Sequence, residues 1–197
     1  CFKGANTADS YNKFTLFNGY CPKKGCDPSI INNLGSTPTY TPIMRYAEVL
    51  LSYLEALNES QPSAIDQDIL DLTINDIRNR VKLTDIKKAD VPTQELVREA
   101  IRKERRVELA FEGLRYYDVL RWEIAEKELN HTFTGVKLSD DPNARNYRGS
   151  GTAASPVDEN MYYQFEKRTW SSHNRYFPIP QNDLNVNKNL KQNTGYN

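Results

Sequence analysis

The sequence predicts a mainly α-helical protein: a helical hairpin, then a long helix, set among extensive irregular loops. Three observations carry this. Apolar residues recur at three and four positions over three stretches between residues 41 and 129, the helical period. Residues 1–40 are rich in Gly, Asn, Pro, Ser and Thr with no such period. From residue 130 to 197 the period dissolves again into turn signals and proline.

The first helix is predicted to start at Thr41-Pro42, with threonine as N-cap and proline in the first turn, and to run to about Asn58. Ile43, Tyr46, Ala47, Leu50, Tyr53, Leu54 and Leu57 would form its apolar face. After a break at Ser60 to Ser63, a second helix carries Ile69, Leu70, Thr73, Ile74, Ile77 and Val81 on its buried side. Two helices on so short a link should pack antiparallel, the unit from which tetratricopeptide-like solenoids are built. No second copy at a fixed period follows, so an array is not predicted.

The third helix is predicted to start near Thr93, with Glu95 in its first turn, and to continue past Trp122. Its apolar positions are Val97, Ala100, Ile101, Val107, Ala110, Phe111 and Leu114, with Gly113 a place for a kink. Glu104 and Glu108 fall on or beside that face, where a carboxylate is costly unless paired. Arg45, Arg78, Arg80, Arg102 and Arg105 are the candidate partners. Glu104, Glu108 and Glu112 also invite a reading as working carboxylates. A glycosidase, however, needs its two carboxyl groups across a cleft, which one helix face does not provide. A di-iron site would want Glu-x-x-His, and the only histidines are His131 and His173.

Composition narrows the function classes. Lysine plus arginine and aspartate plus glutamate both number 26, so no global charge points to nucleic acid or an anionic membrane. The basic run Arg102, Lys103, Arg105 and Arg106 is interleaved with acids. No apolar run reaches the roughly 20 residues needed to cross a bilayer. Twelve tyrosines suit neutral polar ligands such as sugars, because each offers an apolar ring and a hydroxyl, although packed core tyrosines give the same count. Three cysteines, Cys1, Cys21 and Cys26, leave one thiol over, and Cys21 and Cys26 flank a turn that allows them to pair. Metal ligation is not predicted. Asp183, Asn185 and Asn187 imitate an EF-hand start, but Lys188 replaces its glycine and Thr194 its bidentate glutamate. Gly149 and Gly151 lack the third glycine of a phosphate loop, and no cofactor is predicted.

Four blocks then resemble one family. Arg45-Tyr-Ala-Glu-Val-Leu-Leu leading into Glu55-Ala-Leu-Asn-Glu is similar to the RYAEVLL…AEALNE helix of the SusD/RagB proteins. Ile74-Asn-Asp-Ile-Arg-Asn-Arg-Val resembles that family's INxVRxRA helix, and the run from Glu104 to Trp122 resembles its ERRVELAFEGxRxxDLxRW. Phe177-Pro-Ile-Pro-Gln, Asn187-Lys-Asn-Leu-Lys-Gln-Asn and Gly195-Tyr196 resemble its closing segment. Leu114, Lys188 and Thr194 depart from the usual histidine and prolines.

The resemblance implies a SusD-like fold, of which residues 1–197 would be the C-terminal part. It further implies a non-enzymatic, cell-surface lipoprotein of the outer membrane, its lipid on an upstream cysteine, that binds glycan beside a SusC-like TonB-dependent transporter. A peptide-binding member of the same family and a glycan-active enzyme are the alternatives. Partners would be that transporter, the glycan and the upstream part of the polypeptide, with no nucleic acid. No binding residue transfers by motif. Residue type and loop position instead make Tyr147, Tyr162, Tyr163 and Trp170 the candidate ligand contacts, with ordinary packing as the competing reading.

Overall fold

The computed structural model describes residues 24, 42–137, 158–160 and 162–196. Tyr147 and the three cysteines lie outside them, as do the side chains of Val136, Lys137, Tyr163 and Phe165. The architecture is mainly helical, as predicted, and forms two compact units that divide between Asp118 and Val119.

The first unit is built on α1 (Tyr46–Ser60), a second helix composed of α2 (Gln67–Leu70), a π-helical turn (Asp71–Asn75) and α3 (Asp76–Arg80), and α4 (Gln94–Glu108). Side-chain pairs fix the directions of α1 and α4. Asn58, near the end of α1, and Gln94, at the start of α4, exchange amide-to-carbonyl bonds of 3.2 and 2.8 Å. Arg45, at the start of α1, reaches Glu108 and Glu112 at and beyond the far end of α4. The two helices are therefore antiparallel. Leu50, Leu51, Leu54, Ile65, Leu70, Ile74, Ile77, Val91, Val97, Ile101 and Leu109 form the core.

Three helical predictions need correction. First, α1 starts at Tyr46, because Arg45 is extended (φ −125°, ψ 152°) while its carbonyl accepts from Glu48 N–H at 3.0 Å. Pro42 is not in the helix, and Tyr46 and Tyr53 are exposed. The predicted stripe was too wide, because α1 carries apolar residues on two sides and only the Leu50, Leu51 and Leu54 side is packed.

Second, the second helix is not uniform. Within the wider turn Asp71–Asn75, Thr73 Oγ1 donates to the Ile69 carbonyl at 2.5 Å and Asn75 is completely buried. Asn75 there accepts from Ile86 N–H at 2.7 Å and donates to the Ile86 carbonyl at 3.0 Å. Inserted turns of this kind often re-aim one side chain; here it staples the 81–93 connection. Val81 lies past the helix end and is exposed.

Third, the long helix does not run past Trp122. Its start is as predicted, with Thr93 Oγ1 accepting from Leu96 N–H at 3.3 Å. It stops at Glu108, and the chain turns through Phe111 (φ 65°) and Gly113 (φ 79°) into α5 (Arg115–Arg121) and α6 (Ala125–Leu129). Val107 and Phe111 consequently leave the core, Phe111 being 79% exposed.

A left-handed backbone costs a non-glycine residue roughly 1–2 kcal/mol, and glycine gives back about 0.5–1 kcal/mol in unfolded-chain entropy. Phe111→Gly should therefore leave thermal stability within about 1 kcal/mol, where loss of a packed phenylalanine costs about 3–5 kcal/mol. A drop in melting temperature matching the larger figure would show that Phe111 is packed.

In the second unit β1 (Thr132–Lys137) pairs antiparallel with β2 (Tyr162–Lys167), with Phe133 opposite Glu166 and Lys137 opposite Tyr162, and with irregular register on either side of Thr134. This corrects the expectation of loop throughout 130–170. Asp158 Oδ1 accepts from the Asn160 and Tyr162 N–H groups, both at 2.9 Å, which shapes the turn into β2. Residues 177–180 are free of helix, as the prolines require, and are followed by the short α7 (Gln181–Val186).

Candidate functional site

The carboxylates of the α4 region form an ion-paired array. Arg78 Nη1 donates to buried Glu104 at 2.7 Å. Arg80 Nη2 donates to both Glu108 oxygens at 2.8 Å, and Arg45 Nη1 to one of them at 2.8 Å. Glu112 receives Arg45 Nε at 3.0 Å, Arg45 Nη2 at 2.7 Å, and Lys24. Lys24 Nζ also donates to the Glu108 and Ala110 carbonyls at 2.7 and 3.0 Å, which suits a cation at a helix C-terminus.

Burial pushes the Glu112 carboxyl up, but the hydrogen bonds and charges of Arg45 and Lys24 outweigh it and hold the group below its ordinary range. The hydrogen bond to Glu112 in turn raises the Arg45 guanidinium. Arg45, Arg78 and Arg80 take the predicted roles. Arg105 instead pairs with buried Asp118 at 3.0 and 3.1 Å. Lys24 escaped sequence reasoning, because a lysine 84 residues before Glu108 leaves no local trace. Each of these carboxylates is already matched by a cation.

The exposed aromatic residues of the second unit suit ligand contact better. Of the predicted set, Tyr162 is 37% exposed at the start of β2, whereas Trp170 is partly buried three residues past its end. The Asn130 amide holds the Trp170 backbone, accepting from its N–H at 2.5 Å and donating to its carbonyl at 2.9 Å. Its indole nitrogen is buried and meets no acceptor among the described residues. Tyr147 and the Tyr163 side chain lie outside the described residues.

Sequence reasoning missed two further features. Phe133 lies against His131 (ring centroids 4.2 Å apart) and under the Arg168 guanidinium (4.5 Å), which Glu166 holds through bonds of 2.7 and 2.9 Å. Those bonds lower the Glu166 carboxyl and raise Arg168. Tyr176 and Phe177 are 62% and 76% exposed on a segment held by the tail. Tyr196 OH donates to the Tyr176 carbonyl at 2.9 Å and Asn193 Nδ2 to the Phe177 carbonyl at 2.7 Å. The Gln192 amide closes both backbone groups of Ile179, at 2.8 and 3.0 Å. The available signal was the Phe177-Pro-Ile-Pro run, which frees its backbone groups for side-chain partners.

The clasp depends on Gly195, whose φ is 93° and where an added Cβ would meet His173 Cβ at 2.5 Å. His173 itself sits edge-on to Tyr196, ring centroids 5.0 Å apart. Gly195→Ala should cost more than about 1 kcal/mol locally and speed amide exchange at Ile179, while Ile74 in the helical unit keeps its protection. Unchanged exchange at Ile179 would refute the clasp.

Chemically, these rings offer apolar faces beside amides and charged groups, the combination that stacks on and hydrogen-bonds a sugar. Groups of histidine, cysteine, aspartate and glutamate able to hold a metal are absent among the described residues, and no described helix is long and apolar enough to cross a membrane.

Known proteins share this fold. A SusD-like protein of Bacteroides fragilis matches with a TM-score of 0.55 and 31% identity, over 78% of this chain and 25% of its own. A SusD superfamily protein of Parabacteroides distasonis shares the fold with a TM-score of 0.53 at 22% identity, over 86% of this chain and 30% of its own. In sequence, SusD-like protein P2 of Formosa agariphila is 36% identical over 117 residues, 57% of this chain and 22% of that protein. The chain thus spans about a quarter of the length of these relatives. The model of the SusD family matches residues 1–196, nearly the whole chain, and on that match the chain belongs to the SusD family.

Proposed function

We propose that this chain is the C-terminal part of a cell-surface glycan-binding protein that works with a SusC-like TonB-dependent transporter in nutrient uptake. It would be held at the outer membrane by a lipid on an upstream cysteine. The observation that carries this reading is the family match across residues 1–196. The exposed rings of Tyr162, Tyr176 and Phe177 support it, as surfaces on which sugar rings stack and weak single contacts add along a polymer. On this reading the ion-paired carboxylates of the α4 region are scaffold and the protein is a binder, without catalysis.

Affinity electrophoresis of this chain and of the full-length polypeptide against a panel of plant and host polysaccharides, with casein peptides as control, tests it. Retardation by one polysaccharide is expected, weakened at least severalfold by Tyr162→Ala combined with Phe177→Ala; a lost stacking contact is worth about 0.5–1.5 kcal/mol. Binding of peptides with no glycan binding would overturn the reading in favour of the peptide-binding alternative.

A further inference from the structure

The side chains of Glu166 and Arg168 pair on the β1–β2 ribbon yet stay open to solvent, at 42% and 49% exposure. An exposed ion pair ordinarily gives up most of its Coulomb gain in the side-chain entropy of holding one geometry. Here the geometry is held from below. Phe133, directly opposite Glu166 in the ribbon, lies under the guanidinium at 4.5 Å, and the Arg168 backbone N–H donates to the His131 carbonyl at 3.2 Å. The His131 ring in turn rests against Phe133.

Only one edge of the guanidinium is used. Nε and Nη2 donate to the two Glu166 oxygens at 2.7 and 2.9 Å, while Nη1 and the second N–H of Nη2 meet no acceptor among the described residues. Each Glu166 oxygen likewise keeps a lone pair. The pair therefore presents donors and acceptors side by side, in a fixed arrangement and without net charge. An anion gains little there, because the carboxylate offsets the guanidinium. A neutral hydroxyl gains from either partner, since it both accepts and donates, and hydrogen bonds to charged groups are the stronger class. Hydroxyls on adjacent ring carbons stand close enough to engage both partners at once, whereas those on alternate carbons stand farther apart.

We propose that Glu166 and Arg168 form a subsite for a vicinal diol, with Arg168 Nη1 donating to one hydroxyl and Glu166 accepting from its neighbour. This rests on the reading of the protein as a glycan binder and narrows the ligand class. Suitable glycans keep adjacent free hydroxyls on their internal sugars, as 1,4-linked xylan and amylose do. The internal glucose residues of 1,3-linked laminarin have no such pair and are poor ligands for the subsite.

Affinity electrophoresis of the full-length polypeptide in gels containing xylan, amylose, 1,4-linked mannan, 1,4-linked galactan or laminarin tests this, with casein peptides as control. Retardation by at least one of the 1,4-linked polymers is expected, and none by laminarin. Arg168→Lys keeps the charge but loses the planar edge, and Glu166→Gln keeps the shape but loses the paired acceptors. Each should weaken the retardation about tenfold, as expected for lost hydrogen bonds to a charged group, with thermal unfolding unchanged. Retardation by laminarin alone, or by a 1,4-linked polymer that both variants still bind within about twofold of the parent, a change too small for a lost charged hydrogen bond, overturns the subsite and leaves the glycan-binding reading standing. No retardation by any of these polymers, with casein peptides bound instead or not, overturns both.

Discussion

Replacing Asp118 with alanine is expected to destabilise the helical unit by about 3–5 kcal/mol, because it strands a buried guanidinium. Arg105 and Asp118 are both buried and meet through two parallel bonds of 3.0 and 3.1 Å. The remaining contacts of Arg105 are a neutral hydroxyl, Ser52 at 3.0 Å, and the more distant Glu55 carboxylate at 3.8 Å. Neither replaces a bidentate carboxylate. Arg105→Ala should also be costly, since it removes the bidentate donor of buried Asp118. Replacing both residues with apolar ones, Arg105→Met with Asp118→Leu, should recover most of the loss, as buried pairs cost desolvation that apolar packing avoids. Urea unfolding of the two single variants and the double variant measures the coupling. Single losses below about 1 kcal/mol would place the pair with ordinary surface bridges and contradict its burial.

The second large effect falls on Leu54. It is fully buried in α1 and belongs to the main core cluster, so Leu54→Ala removes three carbons from a packed interior. The expected cost is about 2–5 kcal/mol, set by how far the surroundings collapse into the space. Tyr53, one residue earlier and half exposed, should tolerate alanine within about 1 kcal/mol in this chain, despite its larger ring.

Much of this molecule was legible because its determinants are local. Thr93 as N-cap, the apolar repeat through Val97 and Ile101, and the refusal of Phe177-Pro-Ile-Pro to become helix all act within a few residues. The pairing of Glu104 and Glu108 with arginines could be anticipated too, since a carboxylate on a buried stripe must find a cation. The candidate site was less legible. Tyr162 was identified by residue type, but Tyr176 and Phe177 were passed over because nothing in their own stretch shows that Gln192, Asn193 and Tyr196 hold their backbone in place.

By itself, then, the sequence determined the helical class, the helix start at Thr93, the family resemblance and the need for buried carboxylates to be paired. Only the tertiary structure decided which side of α1 is core, that the chain reverses at Phe111 and Gly113, that residues 132–137 find 162–167, and that Lys24 caps α4. The physical reason is range. Period, capping and proline act through neighbouring peptide units, whereas the choice between two apolar faces, the pairing of two distant strands and the partner of a charge depend on which other surfaces arrive beside them.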